Sequence, residues 1–153
     1  MDRTPTPERS APPTFAAGGR LASVEISVAA GFMAPLHADR ADEAVQILEG
    51  RLTMYSGDHT TLLAPGDTFV VPEGVAHTYR ADSARARVVF TTFTASAARY
   101  EGFLRATGPA AGDRAWSTAE DAATVHAVAV AAEIAVFGPP GMLPSDLRGP
   151  HTA

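Results

Sequence analysis

His37, Asp39 and Glu43 sit close together in the chain, and His77 and Tyr79 follow some forty residues on. Side chains of an extended segment alternate between two faces. His37, Asp39, Glu43, Val45 and Ile47 are all odd-numbered, so they share a face if the stretch runs extended. One imidazole and two carboxylates then project into one interior, backed by an aliphatic wall. His77 and Tyr79 arrive on a second strand, after a turn at Gly66 and another at Pro72-Glu73-Gly74. Two adjacent strands could so bring nitrogen and oxygen donors to one point, a set able to hold a divalent metal ion. The same residue types also describe hydrogen-bonded core histidines. The glycines and the proline favour a built site: Gly50, Gly66 and Gly74 stand at turns where positive φ is useful, and Pro72 fixes a bend just before His77.

The elements that must position these side chains read as short strands. Period-two or short apolar runs, separated by Gly, Pro or Asp, predict strands at 22–30, 43–48, 52–55, 60–63, 68–71, 77–80 and 87–93. Tight turns at Ser56-Gly57-Asp58 and Ala64-Pro65-Gly66-Asp67 join antiparallel neighbours, so residues 15–94 are expected to form an all-β sandwich or barrel. The period then changes. Ala97, Tyr100, Phe103, Leu104 and Thr107 mark one face of a helix that stops at Gly108-Pro109. A second helix is expected from Ser117, paired with Glu120 in a capping box, to about Ala131, with Ala122, Val125 and Ala129 on one side. A short strand at 134–137 completes an extension over 95–142. Residues 1–14, with Pro5, Pro7, Pro12 and Pro13, read as a flexible arm, and 143–153 as a tail.

With 153 residues, 46% hydrophobic and 19% charged, the chain has the size and balance of one globular domain. A net charge of −5 argues against nucleic-acid binding, which needs basic surface. There is no cysteine, which removes disulfides and thiolate chemistry. The start of the chain lacks a basic stretch followed by an apolar run, and no segment approaches a membrane span, so a cytoplasmic protein without membrane attachment is expected.

Two segments carry a family resemblance. Gly31, His37, Asp39, Glu43 and Gly50 fit G-x5-H-x-H-x3-E-x6-G apart from Asp39 at the second histidine, and Gly66, Pro72, Gly74 and His77 fit G-x5-P-x-G-x2-H. This pair resembles the signature of the cupins. The resemblance implies a single cupin barrel, a double-stranded β-helix or jelly roll, here with two C-terminal helices. It also implies one divalent transition metal (Fe, Mn, Ni, Co, Cu or Zn) held by His37, Glu43 and His77, with Asp39 at the fourth position. A narrower likeness, in Asp42-Glu43-Ala44, Ile47-Leu48-Glu49-Gly50, Phe69-Val70-Val71-Pro72, the helix at 100–104 and Ile134 to Pro140, is to single-domain cupins of the quercetin 2,3-dioxygenase type. It implies dioxygen-dependent opening of a flavonol or other phenolic or polyketide-like small molecule, with Glu43 as base.

Asp39 makes the ligand set harder in character, toward iron or manganese, but a carboxylate is shorter than an imidazole. It therefore stands as a ligand, as a catalytic base beside the metal, or as the mark of a lost site. Accordingly, a cyclase or isomerase of natural-product type that uses no dioxygen is the second reading, and a non-catalytic ligand-binding cupin the third. Of the other histidines, His59 is expected in a solvated hairpin turn and His126 on the apolar side of the second helix. A homodimer is expected, on the argument that a first strand near Leu21 to Ala30 would leave an open sheet edge.

Overall fold

Short amphipathic strands bury their apolar face only against a second layer. The computed structural model describes residues 14–18, 20–109, 111 and 115–149. Its strands are β1 (Thr14–Gly18), β2 (Leu21–Ala29), β3 (Leu36–Asp39), β4 (Glu43–Glu49), β5 (Leu52–Ser56), β6 (His59–Leu63), β7 (Thr68–Val71), β8 (His77–Ala81), β9 (Arg85–Phe93) and β10 (Ile134–Gly138). The helices are α1 (Ala97–Thr107) and α2 (Ala119–Ala131), and Pro144–Arg148, within the segment expected as tail, forms a 3₁₀ helix. All strand pairings are antiparallel, in two five-stranded sheets ordered β1-β2-β9-β4-β7 and β10-β3-β8-β5-β6. From β3 to β9 the chain repeatedly crosses between the sheets, the winding of a jelly-roll barrel.

The alternation that predicted the strands is the alternation of the core. In β2 and β9 every second residue is buried, with Val24, Ile26 and Val28 lying across from Phe90, Val88 and Ala86. Val45, Ile47, Leu52 and Met54 fill the space between the sheets. α1 opens on Ser96, whose hydroxyl accepts the Arg99 N–H at 3.3 Å, and buries Tyr100, Phe103 and Thr107. Gly108 ends it as expected. Among the described residues no helix is long and apolar enough to cross a membrane.

Several expectations are corrected. The α2 cap is Thr118 with Asp121, one residue later than Ser117 with Glu120; the run Ser-Thr-Ala-Glu-Asp offers both registers, and Ser117 instead donates to Asp121 from outside. His126 is exposed, because the inward stripe is Val125, Val128, Ala129 and Ala132. It meets Trp116 edge-on at 6.4 Å. The stretch around Leu21–Ala29 is no sheet edge, since β2 lies between β1 and β9, so the edge argument for a dimer falls. β1 begins at Thr14, and the rest of the expected arm lies outside the described residues. His59 is exposed at a hairpin, as read.

Candidate metal centre

β3 and β8 run side by side with His37 directly opposite His77. Their rings lie 4.3 Å apart, tilted by 53°. Asp39, two residues along β3, shares the face of His37. Residues 40–42 then turn the chain into the other sheet, so Glu43 reaches the same point from β4, across the interior. The parity argument gathered the right side chains, but on three strands in two sheets rather than two adjacent strands. One ligand atom from each of His37, Asp39, Glu43 and His77 lies within 4.8 Å of the others, and all four residues are buried. Asp39 is long enough: its Oδ2 is 3.5 Å from His77 Nε2 and 3.9 Å from His37 Nε2. Glu43 Oε1 is 3.4 Å from His77 Nε2.

The turns that carry these residues are tied to one another. Gly74, at φ 76°, donates its N–H to the Asp39 carbonyl at 2.9 Å, and the Glu73 N–H donates to Asp42 Oδ1 at 2.8 Å. Thr92 Oγ1 in turn donates to the Asp42 carbonyl at 3.0 Å. The second motif's turn thus holds the first motif's aspartate in place.

Hydrogen bonding also orients the imidazoles. His37 Nδ1 lies 2.7 Å from the Pro35 carbonyl and His77 Nδ1 2.9 Å from that of Val75. A carbonyl only accepts, so each Nδ1 carries a hydrogen, and in its neutral form each ring turns an Nε2 lone pair toward the cluster. Two buried side-chain atoms there have no hydrogen-bond partner, Asp39 Oδ2 and His77 Nε2. Buried polar atoms are rarely left so. A proton on His77 Nε2, 3.4 Å from Glu43 Oε1, or one shared cation would satisfy these facing atoms, and donors sharing one ion at about 2.0–2.2 Å stand roughly 3–4 Å apart. The residues fit a bound divalent ion.

The electrostatics agree. Burial, then the neighbouring His77, lowers His37 to about 4, so it is neutral and free to ligate. Burial, then the Glu43 charge, raises Asp39 to about 8. Glu43 is pushed up by burial, but the facing His77 imidazole, helped by His37 and Tyr100, outweighs this and holds it below its ordinary value. Burial opposes charge on His77, yet the Glu43 and Asp39 carboxylates hold it above the ordinary histidine value. The carboxylates thus favour one positive charge in the pocket, on His77, over a second on His37.

Two groups were not anticipated. Tyr100, read only as part of an apolar helix face, donates its hydroxyl to Glu43 Oε2 at 3.0 Å. Its signal was a phenol in a core stripe, since a buried hydroxyl needs a partner. Phe103 packs on His37 with ring centroids 5.7 Å apart. Tyr79 faces inward against Phe32 and Phe90, while Arg80 points out to Asp82, as parity predicted. Two spaces adjoin the centre. A narrow apolar chamber of ≈ 40 Å³ touches His37 and Glu43 and is walled by Phe32, Phe90, Phe103 and Leu104. An open cleft of ≈ 440 Å³ has Asp39 and Tyr100 in its lining.

Residues 24–93 match the cupin domain family. No curated protein matches the chain. Solved structures of similar fold include KdgF from Halomonas sp., with 20% identity and a TM-score of 0.51 over 53% of this chain and 76% of that one. The protein TT1209 from Thermus thermophilus has 26% identity and a TM-score of 0.51 over 57% of this chain and 86% of that one. A conserved protein of unknown function from Streptococcus pyogenes, SPY1581, has 20% identity and a TM-score of 0.51 over 57% of this chain and 76% of that one.

Proposed function

Residues 24–93 are a cupin domain, and on that premise we propose that the chain is a metal-dependent enzyme of the dioxygenase type, acting on a phenolic, flavonol or polyketide-like small molecule. The observation that carries the metal is the orphaned pair, Asp39 Oδ2 and His77 Nε2, among four converging donors. Two neutral imidazoles and two carboxylates favour iron or manganese over softer ions. A bound ion of that kind would supply Lewis-acid polarisation of a substrate oxygen and a redox route to dioxygen.

The chain's own residues do the rest. Glu43, held ionised and braced at Oε2 by Tyr100, accepts the phenolic proton of the substrate. Nδ1–H bonds to Pro35 and Val75 fix the planes of His37 and His77, so neither ring can turn away as charge develops. The two adjoining spaces suit two reactants: the apolar chamber takes a diatomic molecule but no aromatic ring, and the cleft has room for a ring. Phe103 and Leu104 form part of the chamber's apolar wall.

The test is oxygen uptake by protein reconstituted with iron or manganese and supplied with flavonols and simpler phenols. Substrate-dependent uptake is expected, and His77→Ala should lose both uptake and stoichiometric metal. Full metal occupancy in that variant would overturn the ligand assignment.

A second reading, proton transfer in a cyclase or isomerase, is favoured by one feature. A proton-holding Asp39 and an ionised Glu43 share one pocket, which is the separation an acid and a base require. Product formed without dioxygen selects this reading. Asp39→His separates them again: it should raise flavonol oxygenation under the first and reduce native turnover under the second.

A further inference from the structure

The open cleft beside the centre is lined by two arginines and two carboxylates in a protein whose net charge is −5. Arg20, in the turn between β1 and β2, and Arg40, in the turn between β3 and β4, both line it. Each is exposed, and neither has an ion pair among the described residues. Four other arginines are paired, Arg80 with Asp82, Arg87 with Glu25, Arg105 with Glu101 and Arg148 with Asp58, whereas Arg51 and Arg99, outside the cleft lining, have no ion pair among the described residues either. The backbone under Arg20 is anchored, since its carbonyl accepts the Thr94 N–H at 2.8 Å. Arg40 directly follows Asp39, whose carbonyl is held by Gly74. Both cations therefore stand on fixed backbone next to the centre.

The remaining lining is small or apolar, apart from the hydroxyls of Thr92, Thr94 and Tyr100 and two carboxylates. Asp39 belongs to the metal centre. Glu133 sits on the rim in a left-handed conformation, φ 60°, the one described non-glycine residue so strained. With Asp39 counted in the metal centre, the rest of the lining carries two guanidinium groups and one carboxylate. Guanidinium groups without a protein partner, beside a cavity of molecular size, are suited to bidentate capture of a carboxylate.

We propose that the substrate is an aromatic or enolic carboxylate whose carboxylate is bound by Arg20 and Arg40, with its ring in the cleft against Phe93 and Ile134 and its reacting oxygen turned toward Asp39 and Tyr100. This rests on the metal-enzyme reading for the chemistry, but the recognition of the anion does not depend on it.

The experiment compares two probes of nearly equal shape, 2-hydroxybenzoate and neutral 2-hydroxybenzamide, by calorimetric titration of the full chain with and without manganese. The carboxylate should bind about tenfold or more tightly than the amide, as expected for charge-assisted bonds. Arg20→Gln and Arg40→Gln should each weaken the carboxylate about tenfold and leave the amide unchanged. Arg51→Gln, at the opposite end of β4, should weaken neither. Metal content, measured on the same samples, should be unaltered in all three variants. Equal affinity for the two probes, absence of binding by either, or equal loss of both in the arginine variants would overturn the proposal. Failure to bind metal would instead sink the enzyme reading while leaving the anion measurement intact.

Discussion

The two oxygens of Glu43 face different neighbours, Oε1 the His77 imidazole and Oε2 the Tyr100 hydroxyl. Tyr100→Phe keeps the ring in its core position and deletes only the donor. It should cost about 1–3 kcal/mol in urea denaturation, because a buried carboxylate oxygen is left unpaired. Metal should still bind, while turnover falls as the base loses its brace; unchanged stability and turnover would show that the hydrogen bond contributes nothing. Asp39 sets a pH dependence. Its carboxyl is raised from 3.8 to about 8, so in the metal-free protein the folded state holds a proton that the unfolded chain has released. That contribution to stability is complete below about pH 4 and is lost as pH rises through about 8. Metal ligation needs the ionised form, so affinity should climb over the same window, with a proton released to the buffer on binding. Titration calorimetry in buffers of different ionisation heat measures that release, and a flat affinity across the window would remove Asp39 from the ligand set.

At the scale of elements, Gly50 and Gly74 have nearly the same backbone, φ 78° and 76°, and differ in what surrounds them. A Cβ on Gly50 would collide with the Arg85 carbonyl oxygen and the Ala86 Cα, whereas one on Gly74 would meet nothing within 4 Å. Gly74→Ala should therefore cost about 1 kcal/mol of conformational strain, and Gly50→Ala distinctly more, since β9 must also move. Equal midpoints for the two in urea would contradict this. Both glycines were visible in the sequence as turn positions, but the collision was not, because Arg85 and Ala86 come near Gly50 only after folding. The same limit explains the other successes and failures. Strands β2, β4 to β9 and α1 were legible because each carries its own period or short apolar run and a break after it, a Gly or Pro in most, Asp82-Ser83 after β8 and the change to helical period after β9. β1 and β3 are short and give no full period; all four residues of β3 are buried, so there is no alternation to read. The metal cluster was legible as residue types of one parity, whereas Tyr100 and Arg20 arrive from distant segments, and Arg40, although next to Asp39, has the other parity and no spacing to announce it.

Across the whole molecule the two sheets and the C-terminal extension meet at one place. β10 pairs with β3 through four residue pairs, setting Ile134 opposite Asp39 and Val136 opposite His37, so the extension is part of the barrel wall. On its other side β3 joins β8 by the single pair His37 and His77. A bound ion would span that seam and the gap to β4 together. Metal at a hundredfold excess over Kd should add about 2.7 kcal/mol to stability, which is roughly 5–10 °C in Tm for a chain of this size; no shift on chelation would mean that the ion does not clamp the sheets. The seam also bears on time. The ladder there is one residue pair long, backed by Thr78 Oγ1 donating to the Ala34 carbonyl and the Gly74 N–H to that of Asp39, and the metal-ligating donors on either side of it are buried. An ion held there has the open cleft that Asp39 lines as one way out and a parting of β3 from β8 as the other, and the second is expected to set the rate. Its escape in excess chelator should reach a ceiling that more chelator cannot raise, and that ceiling should equal the hydrogen-exchange opening rate of the Leu36–Asp39 amides. The seam would then act as the clock that sets how long the centre stays loaded.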